Sequence, residues 1–240
     1  MENTLIEPVS TRPDEVNDIL NSLDRYNPKN VKPLQDYVLQ QAAENRPDIA
    51  ANLALLKLYQ FNAHLAKDEV CATILALALT RFYSSDFTTA LHLLPPSATA
   101  PPSEEGTSDG LSDGVQKLIK LYELLDSAHY AEFWHAFRSD DASQDLVADV
   151  SGFADAVRSS IAKTVAIVAR QVPVSVFLAW TNLSEAKLES WVSELGWTIK
   201  DNIILIPANK DNEAKPVVTS ETVRFDQLSK IIKRAYDIRA

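Results

Sequence analysis

The sequence predicts an all-α-dominated protein in two parts: a stack of short antiparallel helices over residues 1–170 and a small winged-helix unit over residues 171–240. Three observations carry this. Glycine is scarce, 5 in 240 residues, while Ala and Leu abound, so the chain avoids a residue that is costly inside a helix. Apolar residues recur at three-and-four spacing as far as Arg170. Beyond Arg170 the order becomes two helices, a hairpin and a closing helix, which is the winged-helix layout.

Pro13 suits a helix start, and Val16, Ile19, Leu20 and Leu23 give Asp14–Leu23 one apolar face. Asn30 is placed to cap a second helix with Val31, Leu34, Tyr37 and Val38 inward, ended by Pro47. Asp48 caps a third, with Ile49, Leu53, Leu56, Tyr59 and Phe61 at helical spacing. A fourth, from about Leu65 to Phe82, is apolar nearly all round and belongs at the centre of the bundle. Asp86–Leu94 is a shorter helix. Segment 95–114 then holds four of the twelve prolines and three of the five glycines. Such a composition buries too little apolar area to offset ordering, so a flexible insertion at 95–114 is expected within the helical domain, with a domain boundary there as the alternative. Helices resume at Val115–Leu125, Tyr130–Arg138, Ser143–Val150 and Phe153–Arg170. Stacked helix pairs of this kind form a solenoid, although no regular sequence period names a repeat type.

In the C-terminal part, Pro173 opens a helix through Val176, Phe177 and Trp180. Ser184 caps the next, with Leu188, Trp191, Val192 and Leu195 inward and Gly196 as its stop. Trp197–Lys200 and Ile203–Ile206 read as strands about an Asp201–Asn202 turn, and Val223–Phe225 as a further short strand. Asp226 caps a final helix, Gln227–Ala235. Trp134, Trp180, Trp191 and Trp197 are all expected in the core.

Little in the chain suggests chemistry. The single cysteine, Cys71, excludes an intrachain disulfide and the common structural zinc sites. It lies in the most apolar helix, where cysteine acts as a small hydrophobe. The only local histidine cluster is His129-x-x-Glu132-x-x-His135. On a helix these two histidines diverge by roughly 120°, whereas a zinc-protease pair needs i and i+4. There is no glycine-rich phosphate loop. No catalytic residue, cofactor-binding residue, metal ligand or cofactor is therefore expected. The first ten residues show no apolar run behind a basic leader, and Val70–Leu79 is too short to span a bilayer. A soluble cytoplasmic protein with no membrane partner is expected.

Charge narrows the partners. The formal net charge is −10, which repels nucleic acid. The groove-reading helix of the winged-helix unit, Ser184–Leu195, presents Glu185, Glu189 and Glu194 against Lys187 alone, which opposes sequence-specific DNA binding. Residues 200–240 are slightly basic. Lys200, Lys210, Lys215, Arg224, Lys230, Lys233 and Arg234 suit either weak RNA contact or docking on an acidic partner. The hairpin edge and Leu228, Ile231 and Ile232 offer two further ways of binding protein.

Several motifs resemble a known family. Leu23-Asp-Arg-Tyr-Asn-Pro28 and Ala50-Ala-Asn-Leu-Ala-Leu-Leu-Lys-Leu-Tyr-Gln-Phe-Asn62 are similar to signatures of the K subunit of eukaryotic translation initiation factor three. Phe133-Trp134, Gly152-Phe153 before Val157-Arg158, and Leu188-x-x-Trp191-Val-x-x-x-Gly196-Trp197 extend the likeness across roughly residues 15–235. The resemblance implies a HEAT-like helical domain followed by a winged helix, as in subunits of the proteasome lid and the signalosome. It implies a non-catalytic scaffold subunit that supports initiation on the 40S ribosomal subunit. The implied partners are other subunits of that factor, above all the L subunit, with contacts toward its helical-bundle region. A subunit of a related lid or signalosome complex, or an adaptor binding RNA weakly, is the alternative. The departure is segment 95–114, longer and richer in Pro and Ser than the compact form associated with the family.

Overall fold

A computed structural model describes residues 12–99, 110–213 and 225–237. The helices are α1 (Asp14–Asn21), α2 (Val31–Glu44), α3 (Ile49–Phe61), α4 (Asp68–Leu79), α5 (Asp86–Leu93), α6 (Pro96–Thr99), α7 (Gly110–Asp126), α8 (Tyr130–Ser139), α9 (Asp141–Val147) and α10 (Phe153–Val168). There follow β1 (Gln171–Pro173), α11 (Val174–Thr181), α12 (Glu185–Glu194), β2 (Thr198–Lys200), β3 (Ile203–Leu205) and α13 (Phe225–Asp237). The layout is the expected one, a helical stack and then a winged-helix end.

Helix α4 is the hub. Its Val70–Leu79 run is buried save one residue, and it packs against α2, α5, α7 and α9. A helix apolar on every side can be satisfied only with neighbours on every side. At the N-terminal edge, Asp48 precedes α3 and accepts from the Ala51 N–H, as a capping aspartate should. Its other partner was not foreseen. Arg12 donates to both carboxylate oxygens, at 2.5 and 2.7 Å, and both side chains are buried. The Tyr37 hydroxyl also donates to Asp48, at 3.3 Å. One carboxylate thus starts α3 and ties the segment ahead of α1 to it. Arg12's pKa is raised, chiefly by that hydrogen bond.

The insertion is narrower than expected. Within 95–114, Pro96–Thr99 are helical and α7 already begins at Gly110, so both flanks are ordered; residues 100–109 lie outside the described residues. The physical reason lies in the flanks' contacts. Ala98 and Val115 are buried, α6 packs on α7, and Gln116 donates to the Thr99 carbonyl at 2.8 Å.

The C-terminal sheet has three strands in the order β1-β3-β2, antiparallel throughout. The hairpin follows the forecast. Asp201 and Asn202 take φ of 51° and 62°, the left-handed pair that a two-residue hairpin turn needs. Strand β1 has no counterpart in the sequence expectation. It is three residues long, ends in a proline and shows no alternation long enough to register. Val223 and Arg224 lie outside the described residues, and Phe225 belongs to α13 rather than to a strand.

Candidate protein-docking surfaces

The described residues of the two parts meet as one packed body. Helix α11 ends at Thr181, followed by Asn182 in the left-handed conformation, and so leaves carbonyls without helical partners. The helical stack supplies the donors. The Trp134 indole N–H reaches the Trp180 carbonyl at 2.8 Å, and the Arg158 guanidinium reaches the Thr181 carbonyl at 2.9 Å. Arg138 donates to the Asn182 side chain at 2.9 Å. Arg158 also lies 5.0 Å from the centre of the Trp134 ring and pairs with Asp155. A cation at a helix C-terminus is favourable against the helix dipole. α11 is therefore stapled to α8 and α10, which fixes where the winged-helix unit faces.

That unit shows three faces. The outward side of α12 carries Glu185, Lys187, Glu189 and Glu194, all exposed, so its charge opposes a phosphate backbone as the sequence implied. The second face is the sheet edge. β2 is one of the sheet's two outer strands, and each of its residues is exposed. Lys200 and Ile203 flank the two-residue turn, and paired residues alternate between bonded and unbonded. Ile199, the next residue, therefore turns its N–H and C=O to the free edge. The third face is on α13. Leu228, Ile231 and Ile232 share one side of this helix and are exposed, as is Tyr236. Lys230, Lys233 and Arg234 are exposed there as well. Lys200 and Lys210 are exposed; Lys215 and Arg224 lie outside the described residues.

The remaining candidates stay dispersed. His129, Glu132 and His135 are exposed, and His129 precedes α8 with its Nδ1 2.8 Å from the Ser127 hydroxyl. Among the described residues no group of three or more His, Cys, Asp or Glu is arranged to hold a metal ion. Among them also, no helix is long and apolar enough to cross a membrane. Cys71 is buried, and burial pushes its thiol up to about 12. Trp134 and Trp197 are buried as expected. Trp180 and Trp191 are only half-buried, with the Trp191 ring 5.8 Å from that of Phe177. α12 lies at the surface, so its inner face covers only part of so large a ring.

Comparison with known proteins agrees with this arrangement. Residues 65–218 match the model of the CSN8/PSMD8/EIF3K family. A Phaeosphaeria nodorum protein named eukaryotic translation initiation factor 3 subunit K is 48% identical, covering 94% of this chain and 95% of its own. Proteins of the same name from Botryotinia fuckeliana and Yarrowia lipolytica are 47% and 43% identical. They cover 94% and 97% of this chain, and 95% and 98% of their own lengths. A helical stack capped by a small winged-helix end, matched over most of its length by that model and nearly end to end by these relatives, belongs to the CSN8/PSMD8/EIF3K family.

Proposed function

We propose that this chain is a non-catalytic scaffold subunit of translation initiation factor three, working in the cytoplasm through protein–protein contacts. The observation that carries the reading is the character of the winged-helix end. Its groove helix is acidic, while its sheet edge and its last helix stand open. An open β edge takes a partner strand through main-chain hydrogen bonds and needs no basic residues. An amphipathic helix with its apolar side exposed takes a partner helix. The relatives' shared name supplies the complex. Within it, the L subunit is the expected nearest neighbour, and support of initiation on the 40S subunit is the expected role. The described residues of the helical stack and the adjoining α11 act as one rigid piece, because α11 is stapled to α8 and α10.

The test uses the full chain. Ile199→Pro removes an outward donor without touching the inner ladder. It should reduce retention in the purified complex by about tenfold or more, roughly the loss of one well-made contact. Retention at the wild-type level, together with tight binding of structured RNA at 0.15 M salt by the full chain, would replace docking with nucleic-acid binding.

A further inference from the structure

The N-terminal corner carries a surface of a different kind. Leu23–Tyr26 and Pro28–Asn30 form two consecutive 3-10 turns, and neither contains a buried residue. They are nevertheless well fastened. Ser22 accepts from the Asp24 N–H at 3.2 Å, Asn27 from the Lys29 N–H at 3.1 Å, and the Asn30 amide donates to the Asp24 carbonyl at 2.8 Å. The result is a rigid ridge whose apolar side chains point outward: Leu23 is 86% and Tyr26 54% exposed. Arg25 covers part of Tyr26, 5.5 Å from its ring centre.

The ridge divides two concavities of opposite charge. One, of about 570 Å³, lies between the ridge and α1 and is lined by Glu15, Asp18 and Asp24, with no basic residue in its lining. The other, of about 390 Å³, lies across Pro28 and Lys29 against the entry to α4. It is lined by Lys29, Lys32, His64 and Lys67, with Asp36 as its one acid. Its floor includes Val31, Leu65 and Ala66, and no Phe, Tyr or Trp lines it.

We infer that this bipolar ridge is a second protein-docking surface, built for a partner helix with basic residues at one end, acidic residues at the other and aliphatic side chains between. The charge pattern selects this occupant. A nucleic acid or an anionic membrane would gain from the lysines but meet the three carboxylates beside them. Single-stranded RNA would also need several stacking platforms, and His64 is the one ring that lines the basic concavity. A partner with both signs satisfies both ends, and its apolar middle covers Leu23 and Tyr26, which are held ready at little further ordering cost. This rests on the scaffold reading above and adds a contact at the end of the chain opposite the sheet edge.

The test places a photo-cross-linking amino acid at position 23 of the full chain, and in parallel at position 199, within the purified initiation-factor complex. Position 23 should cross-link to a segment of a different subunit carrying both charge signs. The triple change Glu15→Lys, Asp18→Lys, Asp24→Lys should cut that yield at least about fivefold, and so should Lys29→Glu with Lys32→Glu and Lys67→Glu. Both should leave the cross-link from position 199 unchanged. A cross-link from position 199 with none from position 23 would overturn the ridge proposal alone. So would a cross-link from position 23 to RNA or to a second copy of this chain. No cross-link from either position would overturn the scaffold reading, and this proposal with it.

Discussion

Asp48 shows how much one side chain can organise. It caps α3, pairs with Arg12 at two points and accepts from Tyr37, all away from water. Removing one partner of a buried pair strands the other, so Asp48→Ala should cost about 3–5 kcal/mol, measured by equilibrium denaturation. A loss below about 1 kcal/mol would mean that water reaches the guanidinium. Cys71, Tyr37 and Tyr59 make a second residue-scale case. Burial pushes each up to about 12, from ordinary values of 9.0 for the thiol and 10.0 for the phenols. Groups with pKa values raised by folding ionise more readily when unfolded. Their contribution is whole below about pH 9 and is lost as pH climbs toward 12. Chemical-denaturation midpoints should therefore fall steadily from pH 9 to pH 12; midpoints that hold constant would contradict the burial of these groups. Trp197 is buried and Trp191 only half-buried, so Trp197→Ala should cost about 3–5 kcal/mol and Trp191→Ala clearly less. Equal losses would place Trp191 in the core after all.

Among the elements, legibility followed local periodicity. α2, α3, α4 and α10 announced themselves because one face of each repeats over several turns. The β2–β3 hairpin was legible because Asp-Asn suits a turn with two positive φ angles. β1 was not: a three-residue strand leaves no pattern, and its paired residues lie thirty or more positions further on. The ends of segment 95–114 depart from expectation for a related reason. Composition reports how little a stretch can bury by itself, not what a neighbouring helix buries for it, as α7 does for Ala98. The docking faces were half legible. The acids of α12 and the apolar stripe of α13 stand in the sequence, whereas the carbonyls of Trp180 and Thr181 find donors some twenty and more residues away. That staple makes its own prediction. Arg158→Ala removes a charged hydrogen bond and should cost about 1.5–3 kcal/mol in equilibrium unfolding. It should also speed proteolysis near residues 168–171, where the two parts join. Unchanged cleavage there would show that the winged-helix unit is held by other contacts.

At the scale of the whole molecule, the proposed docking surfaces lie on both parts of the chain: the ridge at 23–30 on the helical stack, and the β2 edge and α13 on the winged-helix unit. A body of this kind sets distances between its partners. The most direct measurement is native mass spectrometry of the initiation-factor complex affinity-purified through this chain, before and after nuclease treatment. One copy of the chain per complex, unchanged by nuclease, is the predicted result. A chain recovered free of the complex, or one lost from it on nuclease treatment, would contradict the account.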